Sequence, residues 1–432
     1  RATNANGTGI ASSPASAYTS ANAPTSPSHS TISTSSIIWT WQSGGFQNAY
    51  YAYTLAPSDN SGWIPGTSWQ QSSLSPNTLY QFFVEAENNN SATSSPVSAS
   101  AYTSQNTPAG ISFDSIGTDS ITLSAQGILP NIASSSAGLY FLNTTSSGTS
   151  GWTQTNSWAN SSLSPNTQYT YKVKARNGDG VENSYTATSS KYTLIQTPTG
   201  VSFDNIATTS LTLSAVGTLS NLTAGSSGLF FKETSGNSGG SDSTWLQTNS
   251  YQNTGLTPNT QYTFRVKTRN TEGTETSYTV TSSKYTLANI PNNLTFTLNS
   301  ATQITANWQA NSNPTGTSYY IENITAGTNS GWTTSLSWAS TNLHCSDTYS
   351  FRIKAKNGDG TVTSWSDTTS RAARACGGVG NFLTIDSPIT PQTIPLTTAS
   401  IISPSAKPSI AFNKNLRLGN ADIDIKTLQQ YL

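Results

Sequence analysis

In Leu163-Ser164-Pro165-Asn166-Thr167-Gln168-Tyr169-Thr170-Tyr171-Lys172-Val173-Lys174-Ala175-Arg176-Asn177-Gly178-Asp179-Gly180, a corner, a strand and a turn follow one another. From Tyr169 onward Tyr, Tyr, Val and Ala occupy one parity, and Thr, Lys, Lys and Arg the other. Successive side chains of a strand point to opposite faces, so the segment reads as a half-buried strand with a solvated cationic face. Asn177-Gly-Asp-Gly180 is turn chemistry that tolerates positive φ.

Working outward, the stretch recurs. Leu74-Ser75-Pro76-Asn77-Thr78-Leu79-Tyr80 and Leu256-Thr257-Pro258-Asn259-Thr260-Gln261-Tyr262 are close copies, and Leu343-His344-Cys345-Ser346-Asp347-Thr348-Tyr349 is a degenerate one. The tyrosines are 89, 93 and 87 residues apart, and Trp63, Trp152, Trp245 and Trp332 each precede theirs by 17. A second ring follows at Trp69, Trp158, Tyr251 and Trp338. Period-two patterns also mark early strands: Ile37, Trp39 and Trp41; Ile121 and Leu123; Leu211 and Leu213; Ile304, Ala306 and Trp308. About seven short strands per repeat of roughly 90 residues predicts a two-sheet sandwich.

Composition agrees. The 432 residues include 19 basic and 19 acidic side chains, only 9 % are charged, and Ser, Thr and Asn are abundant. Disordered chains are poor in aromatics, whereas this one has 11 Trp, 19 Tyr and 13 Phe, enough to fill several small cores. Neutral balance without a basic stretch argues against nucleic acid or anionic membrane as the main partner. No apolar run approaches the length of a membrane span. The absence of Met and of a signal peptide fits a processed segment of a longer precursor.

The chain resembles the fibronectin type III family over about residues 24 to 375. The resemblance rests on the alternating strand with Trp (Ile304-Thr-Ala-Asn-Trp308), the Leu-x-Pro-x-Thr-x-Tyr corner, and the Tyr-x-Val-x-Ala-x-Asn-x-x-Gly that follows. It implies an all-β chain of tandem immunoglobulin-like sandwiches. It also implies that Tyr80, Tyr169, Tyr262 and Tyr349 bond back to their corner backbone. The second and third repeats lack the early-strand Trp, so their cores are filled otherwise. The expected domains are 23–106, 107–196, 197–289 and 290–376, preceded by the terminal strand of an incomplete repeat at 1–22.

That first assignment follows from aligning Arg1-Ala-Thr-Asn4-Ala-Asn6-Gly7 with Lys174-Ala-Arg-Asn177-Gly-Asp179-Gly180, and Ala15-Ser-Ala-Tyr18-Thr19 with the end of the second repeat. After the fourth repeat, residues 377–411 read as an extended apolar tail. It contains Phe382, Leu383, Ile385, Ile394, Leu396, Ile401 and Ile402, punctuated by prolines. Such a segment suits an added edge strand, on its own repeats or on another molecule. Residues 412–432 end in a short helix whose Ile425, Leu428 and Leu432 share a face. They resemble the start of a peptidoglycan-binding-like domain, or they form a short helix docked on a neighbour.

Chemistry-bearing residues are sparse. Cys345 and Cys376 fall opposite one another if the last two strands of the fourth repeat pair about Gly358-Asp359-Gly360, so they read as a structural disulfide. A disulfide implies an oxidising, extracytoplasmic location. His29, expected in a Pro/Ser-rich loop, and His344 have no nucleophile and acid beside them, so no catalytic residue is expected. No metal site or cofactor is expected either. Asp179 and Asp359 sit in turns that carry receptor-binding tripeptides in adhesive members of the family. Here no Arg precedes the Gly, which leaves plain turn chemistry. Glycosylation sequons begin at Asn6, Asn89, Asn143, Asn160, Asn221, Asn293 and Asn323. The recurring Trp63, Trp152, Trp245 and Trp332 are expected in the cores or between repeats, in preference to a sugar-stacking platform.

These readings lead to a non-enzymatic structural protein of the bacterial cell surface, assembling with copies of itself into a filament by strand or tail exchange. The alternative is an adhesin stalk, or a wall-anchored spacer or carbohydrate-binding accessory region of a larger secreted protein. Its partners would be cell-wall or host-surface glycans.

Overall fold

The computed structural model describes residues 1–377. The tail residues Phe382, Leu383, Ile385, Ile394, Leu396, Ile401 and Ile402, and the helix residues Ile425, Leu428 and Leu432, lie outside the described residues.

Every strand pairing is antiparallel, and four sandwiches follow one another along the chain. In the first, Thr25–Ile32, Ile37–Gln42 and Ser68–Gln71 form a three-stranded sheet. The facing sheet runs Ser58–Ile64, Ala49–Leu55, Leu79–Glu87, Val97–Tyr102. The second and fourth modules repeat this order, built on the central strands Gln168–Arg176 and Thr348–Lys356. Three strands facing four in this order is the fibronectin type III arrangement, so the described residues form an all-β tandem of such sandwiches. The third module lacks a regular edge strand. Only an isolated bridge, Leu229 to Leu246, remains beside Gly228–Glu233, because the Gly/Ser-rich run around Ser235 to Gly240 loops out.

Each module has its own core, made by the inward parity of both sheets. Alternation on the central strand is complete: Tyr169, Tyr171, Val173 and Ala175 are buried, and the residues between them are not. The Trp308 position is Trp41 in the first module and the small Ala125 and Ala215 in the second and third, while two residues earlier bulk moves between neighbouring strands. In the first module Trp39 stacks on Phe82 with ring centroids 4.5 Å apart, and its cross-strand neighbour is the exposed His29. In the other three, Leu123, Leu213 or Ala306 takes the Trp39 place, and Phe113, Phe203 or Phe296 stands opposite it and packs on the core. Volume is traded across one strand pair, as close packing requires. His29 thus lies in a strand, not in the loop expected from its Pro/Ser-rich surroundings.

At the start of the chain Thr3–Asn4 pairs with Gly7–Thr8 as a two-stranded turn. Ala15 to Thr19, where the sequence predicts a strand, pairs with no strand among the described residues.

Candidate functional site: the joints and outer faces of the array

The corners and turns quoted above meet each other between modules. Within a module, the corner tyrosine hydroxyl accepts a backbone N–H five residues upstream: Ser75 to Tyr80 at 2.9 Å, Ser164 to Tyr169 at 2.8 Å, Thr257 to Tyr262 at 2.9 Å, His344 to Tyr349 at 2.6 Å. A threonine from the last strand ties the same corner: Thr103 Oγ1 accepts from Thr78 N–H at 3.0 Å and donates to Ser75 O at 2.7 Å. The corner is therefore rigid before it meets anything else.

The asparagine of each corner is held at positive φ: 46° at Asn77, 47° at Asn166, 46° at Asn259. Asparagine tolerates this left-handed conformation better than most residues, and here it aims the side-chain amide at the next module. Asn77 Oδ1 accepts the Gly178 N–H at 2.8 Å, and its Nδ2 donates to the Asn131 carbonyl at 2.8 Å. Asn166 accepts from Thr271 N–H at 2.9 Å and donates to Asn221 O at 2.7 Å. Asn259 accepts from Gly358 N–H at 2.8 Å and donates to Thr317 Oγ1 at 2.8 Å.

A second asparagine, at the head of each turn, reaches the opposite way. Asn177 Nδ2 donates to the Thr103 carbonyl at 3.2 Å, Asn270 to Thr193 at 3.3 Å, and Asn357 to Thr286 at 3.0 Å. Asp179 and Asp359 belong to the same joints, accepting the backbone N–H of Tyr102 at 2.7 Å and of Tyr285 at 3.2 Å. Those carboxylates serve the turn-to-module contact. Lys191 with Glu272, at 2.7 Å, and Lys284 with Asp359, at 3.0 Å, add one ion pair to each of the later joints. Close approach explains the glycines: a Cβ on Gly178 would lie 2.5 Å from the Tyr102 ring, and one on Gly358 2.4 Å from that of Tyr285.

The first module's turn keeps the pattern and the fourth corner departs from it. Asn88 Nδ2 donates to the Thr19 carbonyl at 2.6 Å, the same contact made to Thr103, Thr193 and Thr286. The fourth corner has no such asparagine. Ser346 takes its place at φ 67°, Cys345 replaces the proline, and Ala373 replaces the tying threonine. There Cys345 is bonded to Cys376, with Cα atoms 5.0 Å apart. The last strands pair Tyr349 with Arg371, one residue off the register expected from the turn, and still bring the two cysteines together.

The outer face of the larger sheet is the second feature. Trp63, Trp152, Trp245 and Trp332 lie on this face and not in the cores or between modules, with Trp63 43 % and Trp332 40 % exposed and the other two half-buried. Trp63 and Trp152 sit on the outward parity of an edge strand, and Trp245 and Trp332 immediately precede the bridging residues Leu246 and Thr333. Each ring packs at a tilt against the outward ring of its neighbour, Tyr51, Tyr140, Phe230 or Tyr320, at 5.3 to 5.5 Å. The second rings, Trp69, Trp158, Tyr251 and Trp338, are the ones that pack on the cores.

The cationic strand face is accordingly covered, where the sequence predicts a solvated one. Arg176 lies 4.3 Å above Trp152 and Lys172 4.3 Å above Tyr185. Arg269 and Arg265 repeat this on Trp245 and Tyr278, both at 4.3 Å, and Lys356 and Lys354 sit 4.5 and 4.2 Å from Trp332 and Trp365. Each contact is worth on the order of 0.5–1 kcal/mol at such exposure. Lys174 and Lys267 are in addition bonded to Glu182 and Glu275, which raises their pKa values.

Among the described residues no group of His, Cys, Asp and Glu is arranged to hold a metal, and no helix is long and apolar enough to cross a membrane. His344 is exposed beside a cysteine already bonded. Of the sequons, Asn143, Asn160 and Asn323 are buried and Asn221 lies in a joint, which leaves Asn6, Asn89 and Asn293 on the surface.

No family model matches the chain, and neither does any curated protein. Among solved structures it is similar to the FN1–FN3 domains of chicken CNTN1, at 16 % identity over 63 % of this chain and 99 % of that one, TM-score 0.24. It is also similar to a two-domain fibronectin type III segment of chicken tenascin, at 19 % identity over 40 % of this chain and 100 % of that one, TM-score 0.29. The fold assignment rests on the strand order described above.

Proposed function

We propose that this chain is a non-enzymatic extracellular structural protein of the bacterial cell surface that assembles with copies of itself into a filament or appendage through strand or tail exchange. The observation that carries the reading is the recurring joint. Two asparagines facing opposite ways make side-chain to backbone bonds at every junction, in place of the loosely bonded linker expected between independent domains. A series of modules fixed in this way suits mechanical extension. The neutral, hydroxyl-rich surface and a disulfide, at home in an oxidising location, support the same setting. Sedimentation and electron microscopy of the full chain test it. Concentration-dependent polymers, lost when residues 378–432 are removed, are expected; a monomer at high concentration with no fibres contradicts it.

A second reading is a stalk, wall-anchored spacer or carbohydrate-binding accessory region. It is favoured by the ring cluster of the half-buried Tyr51 and Tyr53 and the exposed Trp63, since such platforms stack on sugar rings. Retention of the chain on isolated cell walls or glycan arrays supports it, and loss of that retention in Trp63→Ala assigns the platform.

A further inference from the structure

The outer faces of the four modules are not chemically equal. The strand that carries Lys172, Lys174 and Arg176 in the second module, and Arg265, Lys267 and Arg269 in the third, carries Phe83, Glu85 and Glu87 in the first. Residues 23–106 contain Asp59, Glu85 and Glu87 and neither Lys nor Arg. Their face is a bare aromatic row, with Tyr51 5.3 Å from Trp63, Tyr51 5.6 Å from Tyr53, and Tyr53 5.4 Å from Phe83, edged by two carboxylates. Neither Glu85 nor Glu87 has a cationic partner among the described residues. Burial against those rings pushes the Glu85 carboxyl up, and Glu85 in turn pushes up the Tyr53 phenol, which is the state of an acid left without its counter-charge.

The fourth module shows the converse. Glu182 and Glu275, which neutralise Lys174 and Lys267, correspond to Val362, the residue bridged to Lys356 as they are to Arg176 and Arg269. Lys354 and Lys356 therefore lie over rings with no carboxylate beside them among the described residues, while Arg352 is held by Glu322 at 2.8 Å. Each of the last three faces carries three cations and one partner carboxylate. At the position matching Glu85, however, Lys174 and Lys267 are paired, and only the fourth face leaves the cations matching both Glu85 and Glu87 without a carboxylate among the described residues.

We propose that the outer face of the first module docks on the outer face of the fourth module of a second copy of the chain. Glu85 and Glu87 would then meet Lys354 and Lys356, between the bare row of Tyr51, Tyr53 and Trp63 and the rings of Trp332 and Trp365. Sheet faces of this kind pack at about 10 Å, close enough for long charged side chains to reach across. The contact staggers successive copies by overlapping their end modules. It rests on the self-association reading above, and it is independent of the tail exchange offered there.

Charge reversal in the full chain tests it. Glu85→Lys/Glu87→Lys makes both end faces basic, and Lys354→Glu/Lys356→Glu makes both acidic. Each variant alone is expected to associate at least tenfold more weakly than the parent in sedimentation velocity at low salt, and an equimolar mixture of the two to recover association. Circular dichroism and thermal unfolding establish that each variant is folded. Parent-like association of both variants overturns the proposal while leaving self-assembly standing. A parent chain that stays monomeric overturns both. Loss with only one of the two variants shows that the two faces do not meet each other, and overturns the proposal. Glycan retention lost with Trp63→Ala, with association unaffected by either reversal, assigns the first face to a sugar and also overturns it.

Discussion

The corners of the first three modules and the corner of the fourth are the same backbone put to different ends. In the first three, a proline sets the turn, an asparagine at positive φ grips the following module, and a threonine ties the corner while its carbonyl receives the next turn's asparagine. In the fourth, serine, cysteine and alanine occupy these places, and the groups that would grip a neighbour are replaced by a covalent bond to Cys376. A corner followed by another module is stabilised from outside by that module's hydrogen bonds. The fourth makes none of those bonds among the described residues and is closed from within. Joint chemistry and corner stability are thus alternatives drawn from one motif.

The largest expected effect breaks the closed corner. The Cys345–Cys376 bridge closes a separation of 31 residues, which the chain-entropy account values at roughly 3–4 kcal/mol. Reduction, or Cys345→Ser with Cys376→Ser, is expected to lower the unfolding temperature of the fourth module in calorimetry and to leave the other three transitions in place. A uniform shift of all transitions would contradict the separation drawn between the two kinds of corner.

Next come the open corners. Asn166→Ala leaves the Thr271 N–H and the Asn221 carbonyl without their partner, at a cost of about 2–3 kcal/mol. It also relaxes the angle between the second and third modules, readable as a broadened distance distribution between spin labels placed on each. Ser346→Ala, at the matching place in the fourth module, is expected within about ±0.5 kcal/mol of the parent.

Gly178→Ala sharpens the comparison at the receiving side. Its Cβ would meet the Tyr102 ring at 2.5 Å, so a cost of about 1–3 kcal/mol to the first joint is expected, with little change in either module's own unfolding. The third module already carries Thr271 at this position, and its hydroxyl lies 3.1 Å from Asn166 Oδ1 across the joint and 3.1 Å from the Ala224 carbonyl of its own module.

The smallest effect concerns the first module's face. Since burial raises the Glu85 pKa, the folded module holds that proton more tightly than the unfolded chain does. Stability of the first module therefore falls as pH rises from the usual carboxylate value through the raised one. Glu85→Gln is expected to flatten that pH dependence and to raise the melting temperature slightly above it, measured at low protein concentration. No corresponding change is expected in the second module, where Lys174 stands at the same position.

Much of the architecture is legible in the sequence, for a reason visible at single residues. Period-two alternation is a backbone property, and the parity of Tyr169, Tyr171, Val173 and Ala175 names the buried face without ambiguity. The tyrosine of each corner stands out because a large ring recurs at a fixed distance from a proline. What the sequence hides is which side of an edge strand faces in. Trp63 and Trp69 recur equally well, yet one lies outside and the other packs on the core, because parity between strands depends on turn geometry and bulges such as that between Tyr51 and Tyr53. The joints are hidden for a different reason. Asn77 and Asn177 are ordinary turn residues locally, and their partners lie in the adjoining module, so only the recurrence of asparagine at both places marks them.

The backbone amides of Gly178, Thr271 and Gly358 offer the most direct measurement, since each donates to the asparagine of the preceding corner. In hydrogen exchange under native conditions all three are expected to be protected, and each to lose protection when Asn77, Asn166 or Asn259 in turn becomes alanine. Asn89, the equivalent residue of the first module, has no such partner among the described residues and is expected to exchange at the rate of an open turn. Exchange of all four amides at that open-turn rate would contradict the jointed array.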